Sequence, residues 1–183
     1  MPLHYFYEKR GVALPDFKFL SGKEVPYPYR SLLVHENDMT PTLAAFHHSK
    51  LYLDVLEKEV NDDFLLRFVI LRTEEADLPV EFGAIAIQLA GFEPEVRDAI
   101  VDCHIPLGHI LADCEVEHHG SPAAYFSVPA DEAIGEALAQ PIQTKLHGRC
   151  NQLLDGEGQV FADIVEILPR SDESERWIET VKN

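Results

Sequence analysis

FLLRFVILRTEEADLPVEFGAIAIQL, residues 64–89, decides the architecture. Phe64 to Arg72 is rich in β-formers and too short for a comfortable helix, so it reads as a central strand that is apolar on both faces. TEEADLP is a turn, and Val80 to Leu89 is a second strand, the hairpin partner of the first. Strand side chains alternate, which puts Leu65, Arg67, Val69 and Leu71 on one face and Leu66, Phe68 and Ile70 on the other. Neither face is polar, so the Arg67 guanidinium is expected inside the protein. An unpaired buried charge costs on the order of several kcal/mol. Arg67 therefore needs a carboxylate, from the protein or from a ligand, and its planar fork suits either. A structural ion pair and a ligand site both remain open at this point.

Working outward, residues 1–30 are rich in proline and aromatics (ALPDF, EVPYPYR) and show no clean period, which predicts an extended N-terminal arm. Ser31 to His35 reads as a short strand. Thr40 can cap a helix with Pro41 in its first position, and Leu43, Phe46, Leu53 and Leu56 form a helical stripe, predicting a helix over Pro41 to Glu59. Glu93 to Asp102 is a short helix, and HIPLGHILAD, residues 104–113, is a Pro-Leu-Gly turn leading into a helical turn. Cys114 to His118 and Ala123 to Val128 read as strands, and Asp131 to Ala139 as a helix with Asp131 near its N-cap. Two long strands, in IQTKLHGRCNQLLD and GQVFADIVEILP, meet at Asp155-Gly156, a hairpin signal. Hairpins dominate over βαβ units, so the class is α+β with an antiparallel sheet. The expected organisation is an arm over 1–30, one domain over 31–170 and a polar tail with a last helix over 171–183.

The last strand repeats the Arg67 argument with the opposite charge. Phe161, Asp163, Val165 and Ile167 share one face; Val160, Ala162, Ile164, Glu166 and Leu168 share the other. Two acids thus lie on opposite faces of an apolar strand, and one of them can face Arg67. A buried carboxyl has a raised pKa unless a cation holds it down, which is one way a general acid is made. The backbone amides at the Pro-Leu-Gly turn are a further anion-binding feature.

Composition excludes several classes. With 183 residues and 46% apolar side chains, the chain can close one core around a pocket. No apolar run approaches the roughly 20 residues of a membrane helix, and the N-terminus lacks a signal-peptide pattern, so a cytoplasmic location is expected. A formal net charge of −17 disfavours nucleic acid and anionic membranes as partners. Cys103, Cys114 and Cys150 show no CxxC spacing and read as small buried thiols. The nine histidines lack any HExxH-like spacing, so no metal site is expected. No GxGxxG, GxxxxGK[ST] or GxSxG occurs.

In order and spacing, LLVHENDMTPTL, LLRFVIL, DLPVEFGAIAI, IPLGHIL and HGRCNQLLDGEGQVFADIVEILP resemble the chorismate pyruvate-lyase superfamily over about Leu32 to Pro169. That superfamily also includes ligand-binding domains of transcription regulators. The resemblance implies an antiparallel sheet covered by helices, with an internal ligand cavity. It implies that the side chain of Arg67 and the main-chain amides of Met39 and Leu107 hold 4-hydroxybenzoate, with Gly108 and Arg149 also at substrate-binding positions. The family's catalytic glutamate falls on Asp163 when counted from Gly156 and nearer Glu166 when counted from Pro169. The family's Trp-Gly-Arg-Arg appears as His147-Gly148-Arg149-Cys150, with one arginine kept and one lost. The implied activity is release of pyruvate from chorismate by Arg67 with Asp163 or Glu166. Aromatisation drives that reaction, so it needs no redox cofactor or metal. The alternative is a non-catalytic domain of the same fold that binds a small aromatic acid.

Overall fold

The computed structural model describes residues 1–170. Thirteen elements follow one another: α1 (Pro2–Lys9), β1 (Lys18–Leu20), α2 (Tyr29–Leu33), α3 (Met39–His47), β2 (Leu51–Val60), β3 (Phe64–Thr73), β4 (Pro79–Gln88), α4 (Pro94–Asp102), α5 (Leu107–Asp113), β5 (His118–Pro129), α6 (Glu132–Leu138), β6 (Lys145–Asp155) and β7 (Val160–Leu168). The strands form one antiparallel sheet in the order β1-β5-β6-β7-β4-β3-β2. Two hairpin runs, β2-β3-β4 and β5-β6-β7, are joined by the pairing of β4 with β7.

Alternation along these strands gives the sheet two apolar faces. Phe68, Ile70, Phe82, Ala84, Val165 and Ile167 point to one, where α1 and α6 cover them. Leu65, Ile85, Ile87 and Ala162 point to the other, beneath α4 and α5. Leu71 on that same face packs with residues of α2 and α3. The expected β3–β4 hairpin, the short helix after it, the helix capped by Asp131 and the last hairpin are all present. Asp131 accepts from the Ile134 amide at 2.9 Å and also from the Tyr7 hydroxyl at 2.6 Å, which ties α1 to α6.

Other expectations need correction. Residues 1–30 are not simply extended. Leu3, Phe6 and Tyr7 fall at helical spacing behind a proline in the first turn, and α1 buries all three in the core. Ser31 to His35 is not a strand: Ser31 to Leu33 end helix α2. The helix expected over Pro41 to Glu59 stops at His48, which adopts a left-handed φ of 51°. Beyond it the pattern changes period: Leu51, Leu53 and Val55 alternate with Tyr52 and Asp54, and the segment is β2. A β-bulge between Val55 and Glu57 then turns Glu57 and Glu59 toward Lys9 of α1, and Glu57 also pairs with Arg10 just after that helix. The strand expected at 123–128 is part of β5, while the one expected at 114–118 is not formed: Cys114 to Glu117 are turn and loop, and only His118 opens β5. Cys114 is exposed, Cys150 is half-buried and only Cys103 is fully buried. The helix expected in the tail falls at 171–183, outside the described residues. No helix among the described residues is long and apolar enough to cross a membrane.

Candidate functional site

A cavity of about 70 Å³ lies on the α3/α5 face of the sheet. Its floor is built by inward positions of four adjacent strands: Arg67 and Val69 from β3, Glu81 and Gly83 from β4, Asn151 from β6, and Glu166 from β7. Its roof is the start of α3, with Asp38 and Met39, and the start of α5, with Leu107 and Gly108. The leading N–H groups of a helix have no partner within it, so both roof segments bring backbone donors near the cavity.

Arg67 is 2% exposed, as its strand pattern predicts. Its Nε and Nη1 have no hydrogen-bond partner, and among the described residues no carboxylate lies within salt-bridge distance of it. A guanidinium remains protonated in proteins. The cavity therefore contains a cation whose counter-charge the described residues do not supply.

Arg149 is the opposite case. It is fully buried and forms an ion pair from its Nε to Glu166 Oε2. Its Nη1 donates to the carbonyls of Leu33 (3.2 Å) and His35 (2.9 Å), and its Nη2 to the carbonyl of Asn37 (3.2 Å). These bonds pin the segment between α2 and α3 onto the sheet and so place Met39 at the cavity. Gly120 on β5 permits this approach: a Cβ there would sit 2.6 Å from the Glu36 carbonyl oxygen. His35 closes the arrangement, with Nε2 2.7 Å from the Leu32 carbonyl and Nδ1 accepting from the Asn37 amide. Burial, then the Arg149 charge, holds the His35 pKa below the ordinary imidazole value, which favours the neutral ring these bonds require.

The two sequence candidates for the acid now separate. Glu166 lines the cavity but is engaged by Arg149. Asp163 is on the other side of β7, exposed, and accepts from Gln152 Nε2 at 2.9 Å. Asp163 is therefore not brought together with Arg67, Met39, Leu107, Gly108 and Glu166. Arg149 stands behind Glu166 rather than on the cavity wall.

Glu81 is the residue the sequence reading did not single out. It is 5% exposed, lines the cavity, and its Oε2 has no hydrogen-bond partner. Burial pushes its carboxyl well above the usual carboxylate range; nearby Glu166 pushes the same way and Arg149 opposes. Gly83 makes room for it, since a Cβ there would come within 3.2 Å of Glu81 Oε1 and 3.0 Å of Val69 Cγ2. At the rim, His118 Nε2 lies 3.2 Å from Asp38 Oδ2, linking β5 to the start of α3.

No protein-family description matches the sequence, and no curated protein matches it. Solved structures do match. PhnF from Mycobacterium smegmatis aligns over 94% of this chain and 95% of its own, at 9% identity and a TM-score of 0.57. The fold is chorismate lyase-like. The effector domain of the same PhnF aligns over 72% of this chain and 87% of its own, at 10% identity and a TM-score of 0.55. A ligand-binding domain from Bordetella bronchiseptica, assigned to the GntR family of transcriptional regulators, aligns over 66% of this chain and 86% of its own. Its identity is 10% and its TM-score 0.52. At these identities the likeness is one of fold alone.

Proposed function

We propose that this chain is a small-molecule-binding domain whose cavity receives a carboxylate on Arg67. The observation that carries the reading is the enclosed guanidinium with Nε and Nη1 unpartnered, beside an unfilled space. The charges of the site support it. Arg149 and Glu166 neutralise each other, Glu81 is held toward its neutral form, and Asp38 in the roof lies beside His118, so no carboxylate of the described residues pairs with Arg67. The structural neighbours described as ligand-binding and effector domains add support for binding over turnover. Met39 and Leu107 line the same space, and their main-chain amides would add donors to the bound anion.

The lyase reading has one feature in its favour: Glu81, a buried carboxyl of raised pKa, is a candidate proton donor. Against it, Glu166 is already committed to Arg149 and Asp163 faces solvent.

Thermal unfolding with a panel of small carboxylates, including propionate, benzoate and 4-hydroxybenzoate, tests the proposal. At least one should raise the melting temperature of the native protein, since a ligand held only by the folded state stabilises it. Arg67→Met should melt normally and lose the response. A response retained in Arg67→Met defeats the reading. Pyruvate release from chorismate above the uncatalysed rate would restore the lyase reading in its place.

A further inference from the structure

Aspartate is favoured just before a helix, where its side chain accepts a bond from one of the helix's first amides. Asp38 stands in that position before α3, with the extended backbone of a capping residue, yet its carboxylate accepts no bond from the helix. It lies instead against His118 at the opening of β5, whose Nε2 is 3.2 Å from Oδ2 and 3.4 Å from Oδ1. This departure leaves donors open. The third residue of α3 is Pro41, which has no amide hydrogen, so the leading donors of this nine-residue helix are the amides of Met39 and Thr40. Both residues line the cavity that holds Arg67, and so does Asp38.

The partners of His118 fix the charge that it shares with Asp38. Its Nδ1 lies 2.8 Å from the Val116 carbonyl, which only accepts, so Nδ1 carries a hydrogen. Nε2 then faces two carboxyl oxygens, a contact that is favourable only with a proton between ring and carboxylate. Whether that proton sits on the imidazole or on Asp38, the pair has no net charge. Without His118, the cavity roof would carry an unbalanced carboxylate. That carboxylate would also be free to turn onto the Thr40 amide, as a capping aspartate does. Three acids line the cavity. Glu166 is balanced by Arg149, Glu81 is held toward neutrality by burial, and His118 answers for the third.

We propose that His118 is a positioning residue for the anion site: it holds Asp38 in a neutral pair and so leaves the start of α3 uncapped for a guest's carboxylate. This rests on the carboxylate reading above and adds to it a residue that acts through another, since His118 stands behind Asp38 rather than on the cavity wall. The two side chains are 13% and 27% exposed, so solvent screens part of the charge and the effect is a moderate one.

Calorimetric titration of the whole chain with propionate and benzoate tests the inference. His118→Leu should weaken binding of whichever acid the unaltered protein takes by about five- to tenfold. Adding Asp38→Ala to His118→Leu should bring the affinity back to within about twofold of the unaltered protein, because the charge and the competing cap leave together. A merely structural His118 requires the reverse, a double variant no better than the single one, and that result overturns the inference. Should melting curves show that His118→Leu does not fold, His118→Gln takes its place: it keeps a donor to Asp38 without the charge, and the same loss and the same recovery are expected. If Arg67→Met abolishes binding while the His118 variant binds as the unaltered protein does, the inference fails and the carboxylate reading stands. If neither acid binds the unaltered protein, the carboxylate reading falls and this inference falls with it.

Discussion

Arg67 and Arg149 are both arginines on strands of one sheet, and both are shut away from solvent. Arg149 meets one carboxylate and three carbonyl groups. Arg67 has two nitrogens with no partner and a hollow in front of it. Burial alone therefore does not distinguish a structural cation from a receiving one; the distinction lies in what the neighbouring chain supplies. Arg149 has a loop folded onto it, and its cost of burial is offset inside the fold. Arg67 finds no such partner among the described residues, and on the proposed reading a guest supplies it.

The largest effect that separates the two is expected from Arg149→Met. It leaves Glu166 buried without its cation and frees the Leu33–Asn37 segment, so unfolding in urea should show a loss of about 3–5 kcal/mol. Replacing Glu166 by Met as well should recover much of that loss, because a buried pair exchanged for apolar groups of similar volume is often neutral. No recovery would mean that the carbonyl contacts, rather than the ion pair, dominate.

Arg67→Met should behave differently. It removes a buried charge that has no carboxylate partner among the described residues, so stability should stay within about 1 kcal/mol of the original or rise, while carboxylate binding is lost. A fall comparable to that of Arg149→Met would erase the contrast between the two arginines.

A smaller, pH-dependent effect should come from Glu81→Gln. The Glu81 pKa in the fold is raised, so the unfolded chain gives up this proton first as pH rises. The stability contribution of Glu81 is thus fully present below the ordinary glutamate pKa and declines as pH rises toward the folded value. Relative to the unaltered protein, Glu81→Gln should be indifferent in acid and progressively more stable toward neutral and alkaline pH. Melting curves across that range check it, and a constant difference would mean that Glu81 titrates normally.

Arg67 was legible because its strand has no polar face on which a charge could sit. The same test would have found Glu81, which shares its face with Gly83 and Ile85, had the acid in VEFGAIAIQL been weighed as the arginine in FLLRFVILR was. Glu166 and Asp163 could be put on opposite faces by counting, but which face holds the cavity depends on where α3 and α5 pack, a tertiary fact. The long helix expected through residues 41–59 failed because its apolar stripe spans a break at His48, where four matches at helical spacing hid a change to period two. Helix α1 was concealed by composition, since proline and aromatics suggested an arm although Leu3, Phe6 and Tyr7 already carried the helical spacing. Arg149 came to notice through the resemblance, and its partners lie too far along the chain for any local pattern to reveal them.

The position of β7 has a consequence for how the protein comes into being. It is the last strand of the described residues, yet it lies at the centre of the sheet between β6 and β4. Until it emerges from the ribosome, the nascent chain holds two separate three-stranded pieces, each with a raw edge prone to mispairing. Glu166 arrives only with that strand, 17 residues after Arg149, so Arg149 is left uncompensated until the final hairpin closes. A chain released before residue 160 should accordingly be a poor substrate for refolding and a good one for proteases.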